Sequence, residues 1–397
     1  MRLKDIAYIN RRVLPETTDP NYSFRYIDIA SVGDLGIIAI PDQLTLFGQA
    51  PSRARRIAPA GSTVVSTVRT YLCAIAQVPS TDETLVFSTG FAVLEAKPSI
   101  DDRFLAYVCR SQPFINEVVA RSVGVSYPAI NPGDLSGIRV PVPPLDEQRR
   151  IADFLDAETA RMDGLQGTRD RQLTALDELI ASSVSAIVPS PSDVSFVRLG
   201  YLSVIQLGLT VDGGRDPGAD SVTLPYLRVA NVQDGHLDLE SIYDITVPRI
   251  AARSSTLCRG DVLMTEGGDL DKLGRGTVWN GEIENCLHQN HVFAVRSDQT
   301  KLAPEYLALI TRTAYARSYF ESTGTKTTNL ASTSSSKIRD FRIPLIDLTD
   351  QARVVRETES WLEEVTKVQA VLTLQRALLA ERRQALITAA VTGGITV

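Results

Sequence analysis

Two stretches of the chain carry apolar residues at helical spacing for far longer than an ordinary helix. In the first, Ile151, Phe154, Leu155, Met162, Leu165, Leu173, Leu176, Ile180, Val184 and Ile187 recur mostly three, four or seven apart, with Arg149, Asp153, Asp156, Arg161, Asp170 and Arg171 between them. Pro143 and Pro144 cannot lie inside a helix, so the pattern predicts a helix from near Asp146 to about Ile187. In the second, Val354, Leu362, Val365, Val368, Leu372, Leu379, Leu386 and Ala390 form one stripe between Asp350 and Val391, and Gly393-Gly394 ends it. A helix of about 40 residues spans roughly 60 Å and needs an equally long partner to bury its stripe. The two stretches are either solvent-washed surface helices on separate domains or each other's partner in a coiled coil. The second reading is favoured because they occupy corresponding places of an internal repeat, and the coil is antiparallel if the copies are related by a pseudo-two-fold axis.

Elsewhere the pattern is that of mixed α/β domains. β-branched and aromatic residues between glycine and proline signals predict strands at 26–32, 36–40 and 63–67, and again at 226–232, 261–265, 277–280 and 292–295. Asp102 to Arg121 reads as a helix interrupted near Pro113, with Phe104, Leu105, Val108, Phe114, Ile115 and Val118 facing inward.

These segments recur at an interval of about two hundred residues. Tyr26–Val32 (YIDIASV) matches Tyr226–Val232 (YLRVANV), and Ala60-Gly61 ahead of TVVS matches Arg259-Gly260 ahead of VLMT. Phe91-Ala-Val-Leu matches Phe293-Ala-Val-Arg, Arg139-Val-Pro-Val matches Arg342-Ile-Pro-Leu, and Glu147-Gln148-Arg149-Arg150 falls on Asp350-Gln351-Ala352-Arg353. That period is too long for a solenoid and fits a duplicated domain-plus-helix unit. The fold class is α+β: two pseudo-repeated α/β domains, 1–145 and 188–349, separated by two long helices, 146–187 and 350–397 with its tail.

The runs PLDEQRRIADFLDAETARMDGL, LGRGTVWNGEIENCLHQNHVFAVR and LLAERRQALITAAVTGGITV resemble the DNA-specificity subunit of type I restriction-modification enzymes, over nearly the whole chain. The resemblance implies two target-recognition domains, each reading half of a bipartite double-stranded DNA site, on helices that dock two methyltransferase subunits and, through them, restriction/translocase subunits. It implies a non-catalytic chain acting in the prokaryotic cytoplasm, with S-adenosylmethionine held by the partner methyltransferase and no cofactor here. Glu147, Gln148 and Arg149, read as exposed residues at the helix start, are the expected partner contacts, with Gln351 and Arg353 in the second copy. There Asp347-Leu-Thr-Asp-Gln-Ala-Arg replaces the fuller Pro144-Leu-Asp-Glu-Gln-Arg-Arg, so partner contacts are expected to be less symmetric.

Charge sharpens this picture. The net charge is -6, but it divides as +1 over residues 1–145, -4 over 146–186, -3 over 187–349 and 0 over 350–397. Nonspecific affinity follows the number of phosphates neutralised, so the chain alone is expected to hold DNA weakly and to need partners that add basic surface. Within 50–56, Arg53, Arg55 and Arg56 sit in a Pro/Ser-containing loop, either a solvated basic turn or a contact to phosphate and guanine O6/N7. Further candidate DNA contacts are Arg69; Ser126 and Tyr127, beside the glycine turn at Gly124; and Lys326, Thr327, Thr328 and Asn329 after its counterpart Gly324. The glycine-rich loop 267–276 offers Lys272 and Arg275, unless it is only a hairpin tip. Gln289 or Asn290 has the amide geometry for adenine, and strand alternation would let only one of them face DNA.

Other chemistries lack their residues. His288 and His291 are three apart with no third ligand, and read as strand residues rather than a metal site. Asp269-Leu-Asp271-Lys272 lacks the preceding carboxylate of a nuclease, Asn131-Pro-Gly-Asp lacks the aromatic of an amino-methyltransferase motif, and no Walker A loop surrounds Gly324. Cys73, Cys109, Cys258 and Cys286 show no paired spacing, which predicts a reduced compartment, and no apolar run nears the ~20 residues of a membrane span. The rival readings are an enzyme with an unrecognised site, such as a minimal nuclease, or a protein-binding adaptor.

Overall fold

Thr63–Ser66 (TVVS) is buried at all four positions and Asp261–Thr265 (DVLMT) at all five, and each is an inner strand of its sheet. The computed structural model describes residues 1–33, 35–190, 192–210, 218–233, 235–268, 273–326 and 331–397. The chain forms two compact units, Met1–Asp170 with Thr373–Val397, and Arg171–Leu372.

In the first unit four antiparallel strands lie in the order Ala7–Ile9, Phe91–Ala96, Thr63–Ser66, Ile75–Gln77. A second sheet runs Thr45–Leu46, Ser23–Ile27, Leu85–Ser88, Ala54–Ile57, with Ser23–Ile27 parallel to Leu85–Ser88. The second unit repeats the first order as Ser203–Leu207, Val292–Ser297, Asp261–Thr265, Gly276–Trp279. Its companion sheet runs Tyr243–Pro248, Ser221–Leu227, Leu287–His288, the last two again parallel. The duplication legible in the sequence is thus a duplication of strand order.

Some strands are shorter than the pattern suggests. The 26–32 segment leaves the sheet at Ile27, because the Asp28 carboxylate accepts from the Ser31 N–H at 3.2 Å and draws Ile29–Ser31 into a 3-10 turn. The second copy does likewise at Val229–Asn231, where the Asn231 side chain accepts from the Arg228 N–H at 2.8 Å. The strand expected at 36–40 is absent. Gly36 turns the chain at φ +76, leaving one bridge between Val32 and Ile38.

The interrupted helix is two helices, Asp102–Arg110 and Gln112–Ala120, with Pro113 in the first turn of the second. The Asp101 carboxylate caps the first, accepting from Arg103 and Phe104 N–H at 3.1 Å. Phe104, Leu105 and Val108 join Phe114 and Val118 in the core.

The long helices run Leu145–Ala186 and Leu348–Thr392. Within the first unit Ile151, Ala152 and Leu155 share a core with Ile387, Ala390 and Val391. Arg383 pairs with Asp163 at 3.2 Å and Arg376 with Asp170 at 2.6 Å, so one index rises by seven as the other falls by seven, the signature of antiparallel packing. Within the second unit Val184 and Val355 share a core flanked by Ile180 and Leu362, and Gln369 Nε2 donates to Asp177 Oδ1 at 2.7 Å. The stripes are not buried throughout: Leu165 and Val368, expected inside them, are 44% and 49% exposed, and Leu374 and Leu378, outside the expected stripe, are exposed as well. No described helix is long and apolar enough to cross a membrane.

Candidate nucleic-acid interface

Arg55 and Arg56 lie not in a loop but on the strand Ala54–Ile57, whose register against Leu85–Ser88 shifts between Ala54 and Arg56. A bulge places an extra residue and re-aims its side chain. Here the Arg55 guanidinium stacks over the Phe47 ring at 4.8 Å. Arg56 is half-buried, its Nε has no hydrogen-bond partner among the described residues, and burial draws its pKa down. Arg53 is exposed at the head of the strand, where its carbonyl accepts from Thr89 N–H at 2.8 Å. The Pro/Ser signals at 51–52 mark the turn, which holds Arg53, while Arg55 and Arg56 belong to the sheet it feeds.

A second group forms where two segments distant in sequence meet. Ala129 bridges both Val68 and Val123, Ile130 N–H donates to the Thr67 carbonyl at 2.9 Å, and the Thr70 and Ser122 hydroxyls are 2.8 Å apart. Arg69 occupies the left-handed region at φ 51 and stacks its guanidinium over Tyr127 at 4.8 Å. Two candidates with nothing in common in the sequence therefore form one surface feature. Ser126 beside them is exposed, and Tyr127 is 64% exposed. The sequence reading missed their neighbours: Val123 is 81% exposed, Val125 wholly so, and Tyr71 56%. For the two valines the signal available is an acid-free stretch with a valine on each side of Gly124.

In the second unit Arg275 is half-buried beside Gly274, whose φ of +69 and close approach to the Phe320 ring leave no room for a Cβ. That glycine serves packing, not access for a ligand. Gln289 and Asn290 lie in the turn between Leu287–His288 and Val292–Ser297, so strand alternation does not choose between them. The Gln289 Oε1 already accepts from Val229 N–H at 3.2 Å. Lys326 lies on the short strand Thr325–Lys326, paired with Ala331–Ser332, which also pairs with Gly267–Gly268. Lys272, Thr327, Thr328 and Asn329 lie outside the described residues, as do the carboxylates of Asp269 and Asp271. An unforeseen feature is Arg228, stacked over the exposed Tyr243 ring at 3.8 Å.

The histidines are structural. His288 is fully buried with Nδ1 2.8 Å from the Val292 carbonyl, and His291 Nδ1 is 2.5 Å from Glu266 Oε2. No group of metal-ligating side chains occurs among the described residues.

The helix-start residues require a correction. Glu147 and Arg149 are exposed, Arg149 lying 3.7 Å from Asp146. Arg353 is also exposed and pairs with Asp350 at 3.0 Å and Glu357 at 3.3 Å. Gln148 and Gln351, by contrast, are fully buried. Gln148 Oε1 accepts from Asp101 N–H, while Nε2 donates to the carbonyls of Pro143 and Ser99 at 2.8 and 3.3 Å. Gln351 repeats the set with Ala303 N–H and the carbonyls of Ile346 and Lys301, all at 2.8 Å. Each amide ties its helix start to its own domain and is not presented to a partner.

Residues 1–175 match the family described as type I restriction modification DNA specificity domain. The type I restriction enzyme EcoKI specificity subunit of Escherichia coli (strain K12) is 24% identical over 328 residues, 78% of this chain and 69% of that protein. The StySPI specificity subunit of Salmonella potsdam is 23% identical over 284 residues, 69% of this chain and 61% of that protein. Among solved structures, a chain from work on complex assembly and conformational transition of the type I R-M system superposes with TM-score 0.78 at 25% identity, covering 100% of this chain and 97% of that one. The HsdS subunit from Thermoanaerobacter tengcongensis gives TM-score 0.54 at 25% identity, covering 100% and 96%.

Proposed function

We propose that the chain is a type I restriction-modification DNA-specificity subunit whose two units read the two halves of an asymmetric, bipartite double-stranded DNA site. It is a recognition subunit, not an enzyme, and it works in a complex with other subunits. The carrying observation is that one strand order and one glutamine clamp occur twice while the exposed loop chemistry differs between copies. A shared scaffold gives two equivalent seats, and unlike side chains give them unlike preferences. The first unit offers Arg53, Arg55, Arg56 and the Arg69–Tyr127 pair; the second offers Arg275, Asn290 and the hairpin around Lys326, with Lys272 and Thr327–Asn329 beyond the described residues.

The finer partnership is two methyltransferase subunits holding S-adenosylmethionine, with restriction subunits joined through them. The exposed Leu165, Leu374 and Leu378 on the first unit's helix pair support a protein partner there, together with exposed Glu147 and Arg149. The test is genome-wide methylation mapping by the chain co-expressed with its methyltransferase. An asymmetric site of two separated halves is expected, and Arg55→Ala is expected to relax one half only, at ~1–3 kcal/mol for a lost bidentate guanine contact. A continuous palindrome, or equal loss of both halves in Arg55→Ala, would sink the proposal.

A further inference from the structure

We propose that the first unit reads the 5-methyl group of thymine with the aliphatic tip of the Val123–Tyr127 loop, the Arg69–Tyr127 stack holding that tip to the major-groove edge. The inference rests on the DNA-reading role above and names what one half of that site must contain. Val125 is wholly exposed, Val123 81% and Tyr127 64% exposed, in a loop pinned at its base by the Val123–Ala129 bridge and the Thr70–Ser122 hydroxyl pair. Fully hydrated valines on a braced loop leave apolar area for something to cover.

Charge selects the occupant. Segments 67–73 and 121–131 contain two arginines and no carboxylate. Arg121 is paired with Glu117 at 2.6 Å, but no carboxylate pairs with Arg69 among the described residues. Its guanidinium is held flat on an aromatic ring from a left-handed backbone position, rare for a non-glycine residue and fixed here by the surrounding hydrogen bonds. A cation, hydroxyls at Ser126 and Tyr127, and aliphatic tips without an acid complement a major-groove edge, which presents O4, O6 and N7 acceptors beside one apolar feature, the thymine methyl. The sequence after the counterpart Gly324 reads Thr-Lys-Thr-Thr-Asn-Leu, with no valine, so methyl reading by this loop is assigned to the first unit's half-site.

The experiment uses the assembled complex and duplexes carrying its mapped site, with deoxyuridine replacing thymine one position at a time in both halves, at fixed salt. Wild type should lose roughly three- to five-fold at one or more thymines of a single half, the worth of one buried methyl group. Val125→Ala, at a solvent-exposed position that folding does not depend on, should lose that discrimination by weakening the thymine duplex to the deoxyuridine level. Tyr127→Phe, which keeps the ring under Arg69, should retain it. The inference is overturned if no thymine is sensitive, if Val125→Ala discriminates as wild type does, or if it weakens both duplexes equally. Failed assembly by Val125→Ala with DNA reading intact would make the loop a protein contact and overturn it too. A wild-type complex with no preferred sequence would instead overturn the DNA-reading role itself.

Discussion

Gln148 Oε1 accepts a hydrogen bond from the Asp101 backbone N–H at 2.8 Å, joining the start of one long helix to the cap of the helix at Asp102–Arg110. Asp101 caps that helix with its carboxylate, so one residue is fixed through both main chain and side chain. Because Gln148 is fully buried, removing its amide leaves one N–H and two carbonyls to be resolvated or left unpaired. Gln148→Ala and Gln351→Ala should each destabilise the chain by about 2–4 kcal/mol in urea unfolding. Gln148→Glu should also be destabilised at neutral pH, since a carboxylate cannot donate to Ser99 and Pro143. Full stability with impaired assembly would restore the partner-contact reading.

Two ion pairs on the first unit's helices should differ sharply in worth. Arg376–Asp170 is exposed on both sides, at 41% and 48%, whereas the Arg383 side chain is 8% exposed and also donates to the Leu35 carbonyl at 3.1 Å. Asp170→Asn should cost ~0–1 kcal/mol and Asp163→Asn about 2–4 kcal/mol, because only the second strands a buried cation. Arg110 makes this worse: it too donates to Leu35, and burial aided by the neighbouring Arg383 draws its pKa down to about 10. Equal costs in denaturant unfolding would refute the distinction.

In the second unit, fully buried Asp261 receives Arg296 through both oxygens at 2.7 Å and Cys258 N–H at 2.8 Å. Asp261→Asn should cost about 3–5 kcal/mol, since the guanidinium loses its counter-charge while the amide presents a second donor. Thermal unfolding reads this directly, and a variant within 1 kcal/mol of wild type, by the same scale, would contradict it.

His288 predicts a pH dependence. Its Nδ1–H donates to Val292, its Nε2 is buried with no hydrogen-bond partner among the described residues, and burial pulls its pKa below the ordinary 6.5. The unfolded chain therefore takes up the proton first as pH falls. The stability due to neutral His288 is complete above about 6.5 and drains away below it until the folded imidazole itself protonates. His288→Phe should lose stability less steeply than wild type between pH 7 and pH 5 in parallel urea titrations, and equal slopes would exclude this role.

The duplicated fold was legible because buried inner strands and helix stripes are periodic, and periodicity survives in sequence. Gln148 was misread because polarity was taken as exposure. Its phase said otherwise: Ile151, Ala152 and Leu155, at three, four and seven residues on, are all buried, so position 148 shares their face. The Arg69–Tyr127 stack was not legible, since only the bridges through Ala129 bring those segments together. Arg55 and Arg56 were found as a charge cluster, but a bulge leaves no mark in composition.

The first unit is closed by residues made only after the whole of the second. Ile387, Ala390 and Val391 sit in the same core as Leu3 and Phe104, and Gln384 Nε2 donates to the Arg110 carbonyl at 2.8 Å. A ribosome must therefore complete the whole second unit before the first can bury its apolar face. At roughly 5–20 residues per second, the opening segment waits of order ten seconds or more with that face uncovered. Of the two units, the one begun first is completed only after the other, and chaperone dependence or proteolytic loss of nascent chains should fall most heavily on it.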